Sequence, residues 1–168
     1  MEFEEVIRNR KSTRLFGSKK LEKEKLDLIL EAGRLAPTAK NNQPIKIYVV
    51  QSEEGLKSID KASICRYKAS TVLIVCGDKE KSYQKNGMPI YVVDASIVGT
   101  HMMLEATNVG VDSIWIELFD EDVLRKEFDI PDNLVPVLMM PLGYKAKLCP
   151  PSPFHNKRKS IEDIVEMV

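Results

Sequence analysis

The sequence predicts one domain of the α+β or α/β class, with helices packed around a single sheet. Its 168 residues suit one hydrophobic core, because a chain of this length buries roughly two thirds of the surface that it exposes when unfolded. Helical and strand patterns alternate in the order ααβαβαβαβ, and a tail that is first basic and then acidic follows them. No repeat, low-complexity tract or linker divides the sequence, so residues 1–168 are expected to form one unit.

Two amphipathic helices and a loop make up the first part of the predicted fold. Apolar side chains recur at helical spacing over residues 2–10 and again over residues 21–35. The second helix should end near Ala36, because Pro37 disfavours a helical conformation in the residue before it. Residues 38–43 are polar and are expected to form a loop that ends at Pro44.

β-Branched and apolar side chains predict two strands in the middle of the chain. Ile45–Val50 is bounded by Pro44 and Ser52, and residues 71–76 give a second strand. Between them, residues 54–59 predict a short helix. Residues 78–88 are polar and are expected to form a loop.

A long apolar helix over residues 92–109 is the predicted centre of the fold. Apolar residues occur on every side of its helical wheel, so we expect it to be buried all round, with Gly110 as its C-terminal cap. His101 lies in this helix and is expected to be a hydrogen-bonded core residue rather than a catalytic one.

The last predicted elements are two strands and the helix between them. A strand covers residues 113–117, and Asp120 caps a helix that runs to Phe128. A fourth apolar strand covers residues 135–142 and is interrupted by Pro136 and Pro141.

The charge balance and the cysteines limit the partners and the compartment. Lys and Arg total 25, and Asp and Glu also total 25, so no overall field attracts the chain to nucleic acid or to an anionic membrane. No apolar stretch approaches the roughly 18 residues that a membrane-spanning helix needs. Cys65, Cys76 and Cys149 lie far apart, and no charged leader with an apolar stretch precedes them. We therefore expect reduced thiols and a cytoplasmic location.

Several catalytic motifs are missing. Neither Gly-x-Gly-x-x-Gly nor Gly-x-x-x-x-Gly-Lys-Ser/Thr occurs, which argues against an ordinary dinucleotide fold and a P-loop nucleotidase. The only histidines are His101 and His155, and there is no Cys-x-x-Cys, so no metal site is expected. The absence of a Gly-x-Ser-x-Gly elbow also argues against a serine hydrolase.

Two basic clusters are candidates for phosphate binding. The first consists of Arg10, Lys11, Ser12 and Arg14 and combines cations with a hydroxyl at the end of a helix, which suits the acceptor oxygens of a phosphate. The second is the run at residues 157–159. Both clusters also fit a solvated surface, which is the ordinary state of Lys and Arg.

The loop between Pro37 and Pro44 carries three amide side chains, Asn41, Asn42 and Gln43. Amides can recognise the edge of a planar heterocycle, where donors and acceptors are paired. The same residues are also typical of a simple turn-rich connection.

Together these segments resemble the FMN-dependent nitroreductase family, of which the chain looks like a short member. The family opening Arg-Arg-Ser-x-Arg-x-Phe is similar to residues 10–16, and the family loop Ala-Pro-Ser-x-x-Asn-x-Gln-Pro is similar to residues 36–44. Residues 94–96 at the start of the long helix, residues 110–117, residues 141–144 and the late Arg158 also match. The resemblance covers most of the chain.

The resemblance implies a nitroreductase-like fold, with a central mixed, mainly antiparallel β-sheet flanked by helices, in an intertwined homodimer. It implies two FMN sites at the interface, with NADH or NADPH as electron donor and no obligatory protein acid or base. The implied cofactor-binding residues are Arg10, Lys11, Ser12, Arg14, Pro37, Thr38, Ala39, Asn41, Gln43, Glu117, Leu118, Lys157 and Arg158.

The same resemblance implies a role for each group of residues. Arg10, Ser12 and Arg158 would hold the phosphate and ribityl region, with the neighbouring lysines close by, and Arg14 would face the pyrimidine. Residues 117–118 would lie by the central edge of the flavin. The loop residues from Pro37 to Gln43 would come from the partner chain.

The chain departs from the family pattern at three places. Leu118 stands where a glycine often follows the glutamate, and Ile45 replaces an aromatic residue that often follows the loop proline. The lysine that many members supply near the pyrimidine has no clear counterpart, and Arg66 is the candidate substitute.

The implied activity is a ping-pong cycle in which hydride passes from NADH or NADPH through the flavin to a small electron-poor acceptor, such as a nitroaromatic or a quinone. A flavin-dependent alkene reductase or a reductive dehalogenase would use the same site. The alternatives of another class are a protein that stores or senses flavin without catalysis, and a helical dimerisation module without a cofactor.

Overall fold

The computed structural model describes all 168 residues. Its helices are α1 (Phe3–Asn9), α2 (Lys23–Leu35), α3 (Glu53–Ala62), α4 (Tyr91–Asn108) and α5 (Glu121–Glu127). Its strands are β1 (Ile45–Val50), β2 (Thr71–Asp78), β3 (Gln84–Lys85), β4 (Met88–Pro89), β5 (Asp112–Ser113) and β6 (Leu134–Gly143). The order agrees with the predicted ααβαβαβαβ apart from the added β3–β4 pair.

Four strands form the main sheet in the order β1-β2-β6-β5, and all neighbouring strands are antiparallel. The single parallel contact is a bridge between Ser12 and Ser113 at the outer edge. Helices cover both faces: α3 and α5 lie on one side, and α2 and α4 on the other. The predicted α+β fold, with a mainly antiparallel sheet flanked by helices, is confirmed.

β2 contributes side chains to the hydrophobic cores on both faces of the sheet. Every residue of this strand is buried, because alternate side chains enter opposite cores. Val72 and Ile74 pack into the core with α3 and α5, whereas Leu73 and Val75 pack into the core with α2 and α4. The continuous apolar run that predicted this strand reflects burial on both faces.

The two prolines of β6 are accommodated in the interior of the sheet. Pro136 lies opposite Cys76, where the pairing of β2 and β6 shifts register. A proline has no N–H to donate to the ladder, and such an irregularity is a position where the missing donor is tolerated. Pro141 contributes its carbonyl, which accepts the Ile114 N–H at 3.2 Å.

Two predicted segments differ from the structure. Residues 78–88 are not simply a loop, because the β3–β4 hairpin turns there through Asn86 and Gly87, both with positive φ. This Asn-Gly pair is a typical hairpin turn that the polar composition concealed. The strand predicted over residues 113–117 is reduced to β5 and one bridge between Ile116 and Met139.

The prediction that the long helix is buried all round is wrong for a single chain. Val92 and Val93 are about half exposed, at 50% and 52%. His101 is also exposed, so the predicted core histidine is wrong too, although its Nδ1 does donate to the Ile97 carbonyl at 2.9 Å. One face of α4 is therefore apolar and uncovered, whereas the opposite face packs against α2 and the sheet.

The covered face of α4 makes its closest approach to the sheet at Gly99. A Cβ atom at this position would lie 2.7 Å from Trp115 Cζ3 and 2.9 Å from Leu138 Cδ2. Gly99→Ala gains about 1 kcal/mol of helix propensity but overpacks the core by roughly 1–3 kcal/mol. We expect urea unfolding to report a net loss of up to about 2 kcal/mol. A higher free energy of unfolding would contradict this close packing.

The chain leaves the sheet after β6 and continues as a tail, residues 146–168, without helix or strand. Phe154, Ile161 and Ile164 in this tail are about two thirds exposed. No helix of the chain combines the length and the apolar character that crossing a membrane requires.

Candidate functional site

The first basic cluster lies in a pocket between the end of α1 and the tail. The chain after α1 is held against the sheet edge, where the Thr13 N–H donates to the Ser113 carbonyl at 3.0 Å. The tail returns beside it and closes a pocket of about 200 Å³. Its lining residues are Arg10, Lys11, Ser12, Arg14, Ser152, Phe154, His155 and Arg158.

The pocket is positively charged and lacks compensating carboxylates. None of its cations takes part in the eight ion pairs of the chain, all of which lie elsewhere. Burial and then the neighbouring Arg158 guanidinium lower the pKa of Arg10. Like charges held this close repel each other, so an anion in the pocket would relieve the repulsion and receive charge-assisted hydrogen bonds. A phosphate monoester fits this donor set, with its charge and its several acceptor oxygens.

The tail supplies its arginine through local contacts. Arg158 Nη1 donates to the carbonyls of Lys157 and Phe154, at 2.7 and 3.5 Å. Lys157 does not line the pocket, and its Nζ lies 5.1 Å from the centre of the Phe154 ring. Sequence reasoning missed Ser152 and His155, because nothing in their local sequence indicates that the tail folds back here.

The amide-rich loop adopts an unusual backbone. Ala39–Asn41 forms a short 3-10 turn, and Lys40, Asn41 and Gln43 all have φ between 50° and 55°. This left-handed region is unfavourable for residues other than glycine, least so for asparagine. The Thr38 hydroxyl holds the turn by accepting the Gln43 N–H at 3.0 Å.

Alternate residues of the loop have different surroundings. Lys40 lies over the Tyr83 ring at 4.6 Å, and Asn42 donates to the Lys81 carbonyl at 3.1 Å, so both contact the segment that leads into the β3–β4 hairpin. Asn41 and Gln43 are exposed. The loop is therefore fixed on one side and open on the other.

A single chain does not bring this loop together with the basic pocket. Thr38 and Gln43 line a different cavity of about 360 Å³, between α2, β1 and α4, which shares no residue with the basic pocket. Pro37 is exposed and Ala39 is half-buried, and neither lines the basic pocket.

Glu117 and Leu118 lie just beyond the segment that pairs with β6. Trp115 Nε1 donates to Glu117 Oε1 at 2.8 Å, which fixes the carboxylate at the surface. Leu118 is 69% exposed, and its carbonyl accepts the Ser63 hydroxyl at 2.6 Å. The exposed Leu118 side chain makes the surface beside Glu117 apolar, at a position where the family pattern often has glycine.

Arg66 is engaged in contacts of its own. Its guanidinium forms a bidentate pair with Asp60 at 2.5 and 2.6 Å and donates to the Ala69 carbonyl at 2.9 Å. The neighbouring Tyr67 contacts the chain just after the first basic cluster, because its carbonyl accepts the Phe16 N–H at 3.0 Å. The pKa of Tyr67 is raised mainly by the hydrogen bond to Cys65. Arg66 was singled out from the sequence, whereas Tyr67 was not mentioned. The local sequence does not show that Arg66 pairs with Asp60 whereas Tyr67 contacts the chain near the first basic cluster.

The three cysteines are free, and Cys65 and Cys76 are buried. Burial raises the pKa of Cys76 to about 12, so its thiol stays protonated at neutral pH. A protonated thiol is a poor nucleophile, and the residue acts as part of the core. Within the chain, no group of three or more His, Cys, Asp or Glu side chains is arranged to hold a metal ion.

Comparison with known proteins agrees with the fold. The sequence pattern of the Nitroreductase family matches residues 7–71 and 65–144. A protein of Archaeoglobus fulgidus, provisionally named an NADH dehydrogenase/NAD(P)H nitroreductase, is 31% identical over 146 residues, which make up 83% of each chain.

Solved structures resemble the whole chain. A nitroreductase family protein from Clostridium difficile 630 superposes with a TM-score of 0.92 at 39% identity, covering 99% of this chain and 98% of that one. A provisionally named nitroreductase from Exiguobacterium sibiricum, solved in complex with FMN, gives 0.85 at 25% identity and covers 100% and 98%. On the family pattern, the sequence relative and the shared fold together, the chain belongs to the nitroreductase family.

Proposed function

We propose that this chain is an FMN-dependent oxidoreductase that transfers hydride from NADH or NADPH to a small electron-poor acceptor. The observation that carries the proposal is the pocket with Arg10 and Arg158, whose unpaired positive charge fits the phosphate of FMN. The relative solved in complex with FMN supports the choice of cofactor. We propose residues 1–168 as one FMN-binding domain, and its cytoplasmic location stays a prediction.

Different residues of the pocket would contact different parts of the cofactor. When bound, FMN supplies the hydride chemistry between donor and acceptor. Arg10, Ser12 and Arg158 would hold its phosphate and ribityl region, with Lys11 at the pocket wall and Lys157 beside it. Arg14 would place a fixed cation next to the pyrimidine, where it favours the additional negative charge of the reduced cofactor.

A second copy of the chain would complete each site. Within one chain the loop from Pro37 to Gln43 and the basic pocket are separate, so a shared site at a dimer interface explains how both could contact one flavin. We propose that Pro37, Thr38, Ala39, Asn41 and Gln43 serve the flavin held by the arginines of the partner chain. Glu117 and Leu118 would lie at its central edge.

The uncovered face of α4 is suited to burial against a second copy. Val92, Val93, Ser96, Ile97, Thr100 and His101 line a groove of about 400 Å³ along this face. The two hydroxyls of this face donate to carbonyls one turn earlier in the helix, at 2.7 and 2.8 Å, so they need no external partner. A face that is apolar and internally satisfied can be buried at little cost. The exposed apolar side chains of the tail fit an intertwined dimer in the same way.

The acceptor should be flat and electron-poor, such as a nitroaromatic or a quinone, because such a ring stacks on the flavin. Leu118 would add apolar surface at the edge of the acceptor site, which favours aromatic rings over small polar acceptors. The substrate class is thus proposed from the cofactor and from this edge together.

An absorbance spectrum tests this function. Purified protein reconstituted with FMN should show flavin bands that bleach on anaerobic addition of NADH or NADPH and return on addition of a quinone. Bands that do not bleach with either nucleotide would favour a flavin-storing or flavin-sensing protein. Absence of any flavin binding would overturn the proposal.

A further inference from the structure

Asp94, in the first turn of α4, is the buried acid that contacts the amide-rich loop. Its side chain is 1% exposed, and its Oδ1 accepts the Ala39 N–H at 2.9 Å. Its Oδ2 is buried as well and has no hydrogen-bond partner within the chain. A buried carboxylate with an unused oxygen is costly, so this position would serve stability better if it were apolar. The carboxylate therefore calls for another explanation than packing.

The loop that Asp94 holds is strained and would not keep its shape unaided. Three of its residues, Lys40, Asn41 and Gln43, lie in the left-handed region of the backbone. Such conformations persist only where the surroundings impose them, and they concentrate at functional sites. The bond from Ala39 to Asp94 fixes the start of the 3-10 turn to α4, and the partial positive charge at the start of this helix favours the carboxylate.

We infer that Asp94 is a positioning residue that presets this loop for the flavin bound by the arginines of the partner chain. The inference rests on the proposed function, because the loop has a cofactor to meet only if FMN binds at a shared site. α4 carries both the proposed dimer face and Asp94, so the bond from Ala39 to Asp94 would fix the position of the loop relative to the partner chain. Presetting the loop lowers the ordering cost of binding, so its loss should weaken FMN binding even in a folded dimer.

Single variants test this role against a general loss of stability. Asp94→Ala should raise the Kd for FMN at least tenfold, while circular dichroism and light scattering show a folded dimer. Asp94→Asn keeps an acceptor oxygen for the Ala39 N–H and should recover part of the affinity. Ser52→Ala is the matched control. It removes the Ser52 hydroxyl, which accepts the Gly55 N–H at 3.1 Å at the start of α3, far from the amide-rich loop. It should lower thermal stability and leave the Kd for FMN unchanged.

Hybrid dimers test whether Asp94 acts on the partner's flavin. Chains carrying Asp94→Ala and chains carrying Arg10→Ala with Arg158→Ala are co-expressed with different tags and purified as hybrids. One site of the hybrid then has intact arginines and an intact loop, whereas the other has both defects. We expect about one FMN per hybrid dimer with wild-type Kd, although neither parent homodimer binds FMN with wild-type Kd. If Asp94→Ala chains do not fold, Asp94→Asn chains enter the same hybrid.

Each contrary outcome has a distinct meaning. A hybrid dimer that regains no FMN of wild-type affinity would overturn the action across the interface, and an Asp94→Ala dimer with unchanged Kd would overturn the positioning role. If the wild-type protein itself binds no FMN, the proposed function fails instead. The wild-type titration therefore separates failure of this inference from failure of the proposed function.

Discussion

Arg10→Ala combined with Arg158→Ala should strip the protein of FMN. The two guanidinium groups line one pocket, and no carboxylate competes for either of them. Each charge-assisted hydrogen bond to a phosphate is worth roughly 1.5–3 kcal/mol, so losing both should weaken FMN binding by about two to four orders of magnitude. Fluorescence titration of FMN, which is sensitive to transfer of the flavin into protein, measures the change.

The matched control removes two arginines that lie outside the pocket. Arg8 and Arg125 each pair with a glutamate on their own helix, at 2.7 and 2.8 Å. Arg8→Ala with Arg125→Ala makes the same change in net charge and should leave the Kd for FMN within about twofold, because long-range fields are screened at physiological salt. Equal loss of FMN affinity in the control and in the pocket variant would point to net charge rather than to the pocket.

Val93→Asp should dissociate the proposed dimer and release FMN together. Val93 is half exposed in one chain and lies in the groove on the uncovered face of α4. In a symmetric dimer each copy would bury one introduced carboxylate without a partner, at roughly 3–5 kcal/mol for each charge. We expect light scattering to report the 19.1 kDa mass of one chain. In size-exclusion chromatography, the flavin absorbance should no longer elute with the protein.

A charge placed elsewhere separates the interface from general effects. Lys57 is exposed on α3, on the opposite side of the sheet from α4. Lys57→Asp should keep both the dimer and FMN. A Val93→Asp protein that remains a flavin-loaded dimer would show that this face of α4 is not the interface.

The strands and the helix order could be predicted from the sequence because burial on two faces leaves a strong local signal. β2 is apolar from Val72 to Cys76 and β1 is rich in β-branched residues, and both are strands with the predicted start. The β3–β4 hairpin was not predicted, because its strands have only two residues each and carry no apolar pattern. Only its Asn-Gly turn could have indicated it.

The central helix shows a limit of periodicity. Apolar residues all round α4 predicted complete burial, but Val92 and His101 are exposed in one chain. Hydrophobic patterning reports that a face avoids water and does not report whether the same chain or a second copy covers it. The predicted burial all round would hold only if a second copy covers this face, as we propose.

Only part of the candidate site could be predicted from the sequence. The cluster from Arg10 to Arg14 is local and was visible in the sequence, whereas Ser152 and His155 reach the pocket only through the return of the tail. Arg66 was chosen for its charge, yet Asp60 six residues earlier takes up that charge. Pairing of this kind depends on side-chain geometry, which composition and spacing do not determine.

The most direct test of a flavin site shared between two chains is size-exclusion chromatography with light scattering and flavin absorbance on one detector line. The wild-type protein, reconstituted with FMN, should elute with twice the 19.1 kDa chain mass and about one FMN for each chain. On dilution, flavin should leave the protein as the dimer dissociates. A stable species of one chain that keeps its FMN would contradict the shared site.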